Sequence, residues 1–74
     1  MDFDYSLLVG KIKQEFKTQK KFSETLGIDN QRLSRILNNK ATLPNSLAVR
    51  MMQTLGIENR EASDYFFKLR VHKR

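Results

Sequence analysis

The sequence predicts a compact, all-α domain of five short helices, and three observations support this prediction. Apolar residues recur every three or four positions through most of the chain, which is the spacing of one helix face. Capping residues precede these segments, and glycine follows some of them. The chain has 74 residues and no cysteine, so it forms one domain stabilised by its own core or by dimerisation.

The first helix is predicted around an apolar face of Leu8, Ile12 and Phe16, which lie four residues apart. Asp4 is a suitable N-cap, because its side chain accepts hydrogen bonds from the free N–H groups of a first turn. Phe3 precedes that cap, where an apolar side chain packs onto Leu8 as a hydrophobic staple. These features predict a helix that starts next to Asp4.

Two further helices are predicted, with a tight turn between them. Thr18 caps the second helix, and Gly27 ends it, because glycine readily adopts the left-handed conformation that closes a helix. Asp29 caps the third helix, which ends at Asn38 and Asn39, since asparagine also tolerates that conformation. The apolar faces of these two helices consist of Phe22, Leu26, Leu33, Ile36 and Leu37.

The second half of the chain predicts two more helices and a tail. A fourth helix opens at Asn45 or Ser46 and ends at the next glycine, and a short fifth helix covers about residues 58–66. We therefore expect a domain of residues 1–66 and a basic C-terminal tail of residues 67–74. Apolar and polar residues alternate in the tail, which predicts a short extended segment.

The charge distribution favours a polyanionic partner. Lysine and arginine number 14 against 8 acidic residues, which gives a net charge of +6. No acidic residue occurs in the stretch 30–57, which contains the basic residues Arg32, Arg35, Lys40 and Arg50.

The segment from Gln19 to Asn38 has the form of a helix-turn-helix, a short helix and a glycine turn before a second helix that stands out from the body. When the apolar face of the third helix is buried, a rotation of about 100° per residue turns its polar residues outward. Amide side chains pair with adenine and arginine pairs with guanine, so these residues suit the base edges of DNA. The predicted base-reading residues are Asn30, Gln31, Arg32, Ser34 and Arg35.

Residues beside the helix starts and in the next loop are predicted to contact phosphates, namely Thr18, Gln19, Asn38, Lys40 and Thr42. The pattern of a helix that ends at a glycine and is followed by a second helix occurs again around Gly56. The helix after that glycine, however, carries Glu58, Glu61 and Asp64. Phosphates repel these acidic side chains, so the unit around Gly27 is the one predicted to bind DNA.

The segment from Gln19 to Asn38, followed by Asn39 and Lys40, resembles the helix-turn-helix of the phage lambda and 434 Cro and CI repressor superfamily. It agrees with that family at the glutamine of helix 2, the central glycine and the apolar positions, and it departs at Ser23, where alanine is usual. The whole chain is similar to short Cro-like regulators of phages that infect low-GC Gram-positive bacteria. The resemblance implies a lambda-repressor-like domain that binds a palindromic operator as a dimer, through Gln19, Asn30, Gln31, Arg32 and Arg35.

We therefore expect a transcriptional regulator of Cro or repressor type, whose third helix, about residues 29–38, reads the major groove of double-stranded operator DNA. We expect a homodimer. Its predicted contacts come from the end of the fifth helix and from the tail, namely Tyr65, Phe66, Phe67, Leu69 and Val71. The alternative for the tail is a frayed basic end. Two other functions stay open. One is a protein-binding modulator that holds a partner phage repressor through the third helix or the aromatic tail, and the other is a DNA-binding antitoxin.

No catalytic residue is predicted, and we expect a protein that is not an enzyme and uses no metal or cofactor. The one histidine, His72, lies in the tail, and the glycines are too far apart to form a phosphate loop. The start of the chain is acidic where a signal peptide is basic, and no apolar run reaches membrane length. We therefore expect a soluble protein in the bacterial cytoplasm, associated with the nucleoid through DNA.

Overall fold

Five α-helices follow one another along residues 2–70, the part of the chain that the computed structural model describes. A 3-10 turn leads into the last helix, and residues 2–70 contain no β-strand longer than an isolated bridge. The predicted all-α, five-helix fold is thus confirmed. The helices are α1 (Ser6–Phe16), α2 (Gln19–Leu26), α3 (Asn30–Leu37), α4 (Asn45–Leu55) and α5 (Ala62–Phe66), with the 3-10 turn at Asn59–Glu61.

One apolar core holds the helices together, and the helical spacing predicted most of its members. Helices as short as α2 and α3, with 8 residues each, are unstable on their own in water, so packing has to stabilise them. The aromatic rings of Phe16 and Phe22 pack across α1 and α2 with their centroids 5.2 Å apart. The side chains with less than 2% exposure are Phe22, Phe66, Leu8, Ile12, Leu26, Leu33, Ile36, Met51 and Ser23.

The predicted boundaries of α2 and α3 are confirmed by their caps. The Thr18 hydroxyl accepts a hydrogen bond from the Lys21 N–H at 3.2 Å, and the Asp29 carboxylate accepts one from the Gln31 N–H at 3.2 Å. Gly27 closes α2 with a φ of 78°, a left-handed conformation that glycine adopts without steric cost. The chain therefore turns from α2 into α3 within three residues.

The start of α1 lies one residue later than predicted. Ser6 is the first helical residue and Tyr5 occupies the cap position, because the Tyr5 side chain is drawn into the core and is only 5% exposed. The Asp4 carboxylate still accepts hydrogen bonds from the Ser6 N–H, at 2.9 Å, and from the Ser6 hydroxyl. Asp4 therefore still accepts a hydrogen bond from an N–H group of the first turn, although it lies one residue before the cap position.

The N-terminal arm, residues 2–5, runs antiparallel to the end of the described chain. Phe3 and Leu69 form an isolated β-bridge, and the Asp4 N–H donates to the Lys68 carbonyl at 2.7 Å. The predicted extended segment of the tail is thus confirmed for its described part. Its backbone pairs with the other end of the same chain.

Asn39 connects the end of α3 to the N-terminal arm. Its side-chain oxygen accepts a hydrogen bond from the Phe3 N–H at 2.9 Å, and its side-chain nitrogen donates to the Phe3 carbonyl at 2.8 Å. The backbone of Asn39 is left-handed, with a φ of 61°, as predicted for the end of α3. The amide therefore pairs with Phe3 as a neighbouring strand would.

No helix within residues 2–70 is long and apolar enough to cross a membrane. In the same part of the chain, no three histidine, aspartate or glutamate side chains are grouped so that they hold a metal ion.

Replacing Asp4 with alanine should lower the melting temperature at neutral pH but not in acid. Hydrogen bonds from the Ser6 hydroxyl and N–H, with smaller effects of Lys68 and Arg70, hold the pKa of the Asp4 carboxyl below its usual 3.8. Because the pKa is lower in the folded state, the stabilisation is complete above pH 3.8 and is lost as the pH falls through the folded-state pKa. Thermal unfolding followed by circular dichroism should show a difference in Tm that closes in acid. A difference that is independent of pH would contradict this role of Asp4.

Substitutions of Asn39 should separate its hydrogen bonds from its backbone conformation. Asn39→Gly keeps the left-handed conformation and loses both bonds to Phe3, so we expect a loss of about 1–2 kcal/mol in the free energy of unfolding. Asn39→Ala loses the same two bonds but keeps the β-carbon that the glycine variant lacks, so in the left-handed conformation it should cost roughly 1 kcal/mol more than Asn39→Gly. Urea denaturation measures both, and the exposed Asn59→Ala serves as a control expected to change stability by less than about 0.5 kcal/mol. Wild-type stability of Asn39→Gly would show that the pairing contributes nothing.

Candidate functional site

The turn between α2 and α3 is a rigid unit that sets the orientation of α3. The Ser23 carbonyl accepts hydrogen bonds from the N–H groups of Gly27 and Ile28, at 2.9 and 3.0 Å. The Ser23 side chain is 1% exposed, so a small residue is required at this position. The Arg50 guanidinium of α4 donates to the Leu26 carbonyl at the end of α2. Carbonyl groups at the end of α2, including that of Leu26, are thus bonded within the fold.

The outward side of α3 carries Gln31, Arg32 and Arg35, all of which are exposed as predicted, and we call these three residues the α3 surface. Neither arginine forms a salt bridge with any residue in the described part of the chain. Together with Asp29 and Ala41 they line a shallow depression along the helix. The α3 surface therefore presents planar cationic groups to solvent, suited to carboxylates and phosphates alike.

Other predicted base-reading residues are engaged within the fold. The Gln19 amide donates to the Asn30 side-chain oxygen at 3.0 Å, which connects the starts of α2 and α3. The Asn38 amide donates to the Ser34 carbonyl at 2.8 Å and lies 3.4 Å from the Ser34 hydroxyl. Asn30 and Ser34 are half-buried. These four side chains support α3 from both ends, whereas the α3 surface is free to make contacts.

The predicted phosphate-contacting residues do not form one cluster. The hydroxyl of Thr18 serves as the cap of α2, and the amides of Gln19 and Asn38 are used as just described. Lys40 and Thr42 are exposed in the loop between α3 and α4, and both line a different concave feature of the molecule.

That feature is a groove of about 480 Å³ between the N-terminal arm, the loop after α3 and the end of α5, and we call it the arm groove. Phe3 and Tyr5 line it from the arm, residues 40–43 from the loop, Ala48 from α4 and Phe67 from the chain after α5. Burial raises the pKa of the Tyr5 phenol above its usual 10.0, so the phenol is protonated at neutral pH.

The residues predicted to form a dimer have different environments. Phe66 is 1% exposed and belongs to the core, so its assignment to a dimer contact is wrong: the last turn of α5 points this ring inward. Phe67 and Leu69 are 57% and 47% exposed, and Tyr65 is half-buried. Val71 lies outside the described residues.

Sequence reasoning missed two connections in this region. Asn39 was predicted only as a helix end, and Arg50 only as one of the cations in the acid-free stretch. Their partners, Phe3 and Leu26, are 36 and 24 residues away in sequence. The amide of Asn39 and its place after α3 were visible in the sequence, but no local pattern indicated the backbone groups that it binds.

A search of curated proteins finds no match to this chain. Among solved structures, the chain matches the solution structure of the modulator of repression (MOR) of the temperate bacteriophage TP901-1 from Lactococcus lactis. The two are 32% identical, the match covers 97% of each chain, and the TM-score is 0.80. The similarity therefore extends well beyond the α2–α3 unit, into both ends of the chain.

This match corrects the predicted function. The expectation of a DNA-binding transcriptional regulator of Cro or repressor type is wrong, since the matching protein is a modulator of repression. The finding agrees better with the alternative of a modulator that holds a partner repressor. Neither operator DNA nor a homodimer gains support from it. The physical reason for the error is that a helix-turn-helix with an exposed basic face is compatible with several partners, because a fold does not determine a function.

The family model described as Protein of unknown function (DUF739) matches residues 1–69, which is nearly the whole chain. The chain therefore belongs to the DUF739 family.

Proposed function

We propose that this protein is a modulator of phage repression that acts by binding a repressor protein. The observation that carries the proposal is the match to the modulator of repression of phage TP901-1, at 32% identity over 97% of both chains. A match of this extent includes the α2–α3 unit, the Asn39 region and the antiparallel ends.

The α3 surface is the part of the molecule that we assign to the repressor. Arginine is enriched at protein interfaces, because its planar guanidinium binds carboxylates through two parallel hydrogen bonds and also packs on apolar groups. Arg32 and Arg35 lie three residues apart on α3, so they project from the same side of the helix. The caps of the α2–α3 turn hold the helix in place, which lowers the entropy lost on binding.

The charge of the chain indicates the chemistry of the repressor face. The net charge is +6, and the stretch 30–57 contains no acidic residue. An acidic face on the repressor is complementary to this charge, and such complementarity accelerates association and excludes other partners. The positive charge that led to the prediction of DNA phosphates is in this proposal assigned to the carboxylates of a repressor.

Binding to the repressor tests the proposal directly. We expect the purified chain to form a stable complex with the repressor encoded in the same phage genome, as measured by isothermal titration calorimetry and size-exclusion chromatography. The affinity should fall moderately as salt rises, since the charged contacts are screened. If the two proteins elute separately and no heat of binding is measured, the chain does not act by holding the repressor.

Charge reversal on α3 should abolish most of this binding. In Arg32→Glu/Arg35→Glu the carboxylates repel an acidic partner, and we expect the Kd to rise by about 100-fold or more. A double variant with the same change in net charge, Lys13→Glu/Lys20→Glu, alters exposed lysines of α1 and α2 and should change the Kd by less than about fivefold. Equal losses in both variants would show that only overall charge matters and that the α3 surface is not the contact.

A further inference from the structure

The arm groove has the size and composition of a binding site for a side chain of another molecule. Its volume of about 480 Å³ lies within the range of ligand pockets and exceeds the space that one aromatic side chain fills. Tyr5 and Ala48 are among its apolar lining residues, and Asn39, Thr42 and Asn45 are among its polar ones. Phe67 stands at its edge with 57% of its surface exposed, in a T-shaped contact with Phe3 whose centroid distance is 6.4 Å. Large exposed aromatic rings of this kind are common in interfaces.

The charge around the arm groove is positive. None of its lining residues is acidic, and Lys40 lies exposed on one wall. Asn45, at the start of α4, also lines it. The first turn of α4 has neither an acidic residue nor a side-chain cap, so the positive end of that helix adds to the field of Lys40. An apolar side chain accompanied by carboxylates complements these features.

The arm groove is continuous with the α3 surface. Ala41 lines both the groove and the depression formed by Arg32, Arg35 and their neighbours. The two concave features are therefore adjacent, so one partner can contact both. Asn39 supports the junction, because its two hydrogen bonds to Phe3 hold the arm against the end of α3.

We infer that the arm groove binds an apolar side chain, flanked by acidic residues, from the same repressor that contacts the α3 surface. This inference rests on the proposed function and assigns the second half of its interface. The two halves differ in chemistry: α3 supplies charged hydrogen bonds and the groove supplies an apolar anchor. Anchors of this type, buried in a pocket and surrounded by polar contacts, contribute a large share of the affinity of an interface.

Two single variants test the groove, each with a matched control. Phe67→Ser removes the exposed ring, and Val49→Ser makes the equivalent change at a valine of α4 that is 50% exposed and lies outside the groove. Lys40→Glu reverses the charge of the wall, and Lys13→Glu does so on the exposed side of α1. Circular dichroism and thermal unfolding establish that each variant is folded before calorimetry with the repressor.

We expect each groove variant to raise the Kd by about tenfold, and each control to change it by less than about threefold. A second measurement needs no variant: in the ¹⁵N-labelled wild-type chain, the amide signals of Ala41, Thr42 and Ala48 should shift when unlabelled repressor is added.

Three results would overturn the inference. If the repressor binds the wild-type chain and both groove variants equally, and the groove signals do not shift, the groove is not part of the interface, whereas the proposed function stands. If the groove signals shift with the concentration of the chain alone, a second copy occupies the groove. If the wild-type chain does not bind the repressor at all, the proposed function fails and this inference fails with it.

Discussion

The side chain of Asn39 pairs with both backbone groups of Phe3, and the arrangement of the exposed surfaces depends on this contact. Asn39 ends α3 in a left-handed conformation, which directs its amide away from the helix and towards the arm. Phe3 in turn bridges Leu69, so three segments that are distant in sequence meet at one place. This connection holds the arm, and through it the described tail, against the end of α3, and the arm forms one wall of the groove.

The helices themselves depend on a shared core, because none is long enough to be stable alone. This requirement assigns one side of each helix to packing. On α3 the buried residues Leu33, Ile36 and Leu37 leave the opposite side without a structural task. Polar and charged residues can vary on that side at little cost in stability, and we propose that a partner protein contacts the helix there. The caps at Thr18 and Asp29 then ensure that the exposed side has a defined direction.

The helix-turn-helix geometry was predicted correctly, but the inference from geometry to DNA was wrong. The sequence showed an exposed helix with arginine and amide side chains and an acid-free surrounding, all of which also suit an acidic protein. A carboxylate is planar and a phosphate is tetrahedral, but both present oxygen acceptors. A guanidinium therefore binds either group. The residue types on α3 therefore favour an anionic partner surface but do not distinguish a nucleic acid from a protein. The end-to-end match to a modulator of repression is what turned our proposal from operator DNA to a repressor protein.

Local patterns in the sequence were enough to predict the number of helices, most of their ends and the buried side of each. These properties follow from interactions within a few residues, such as the Thr18 cap and the left-handed Gly27. Three features became visible only in the folded chain: Phe66 is buried, Asn39 binds Phe3, and the described part of the tail pairs with the arm. Those contacts join residues tens of positions apart. The free energy that selects them comes from the packing of the whole core, so no local periodicity can indicate them.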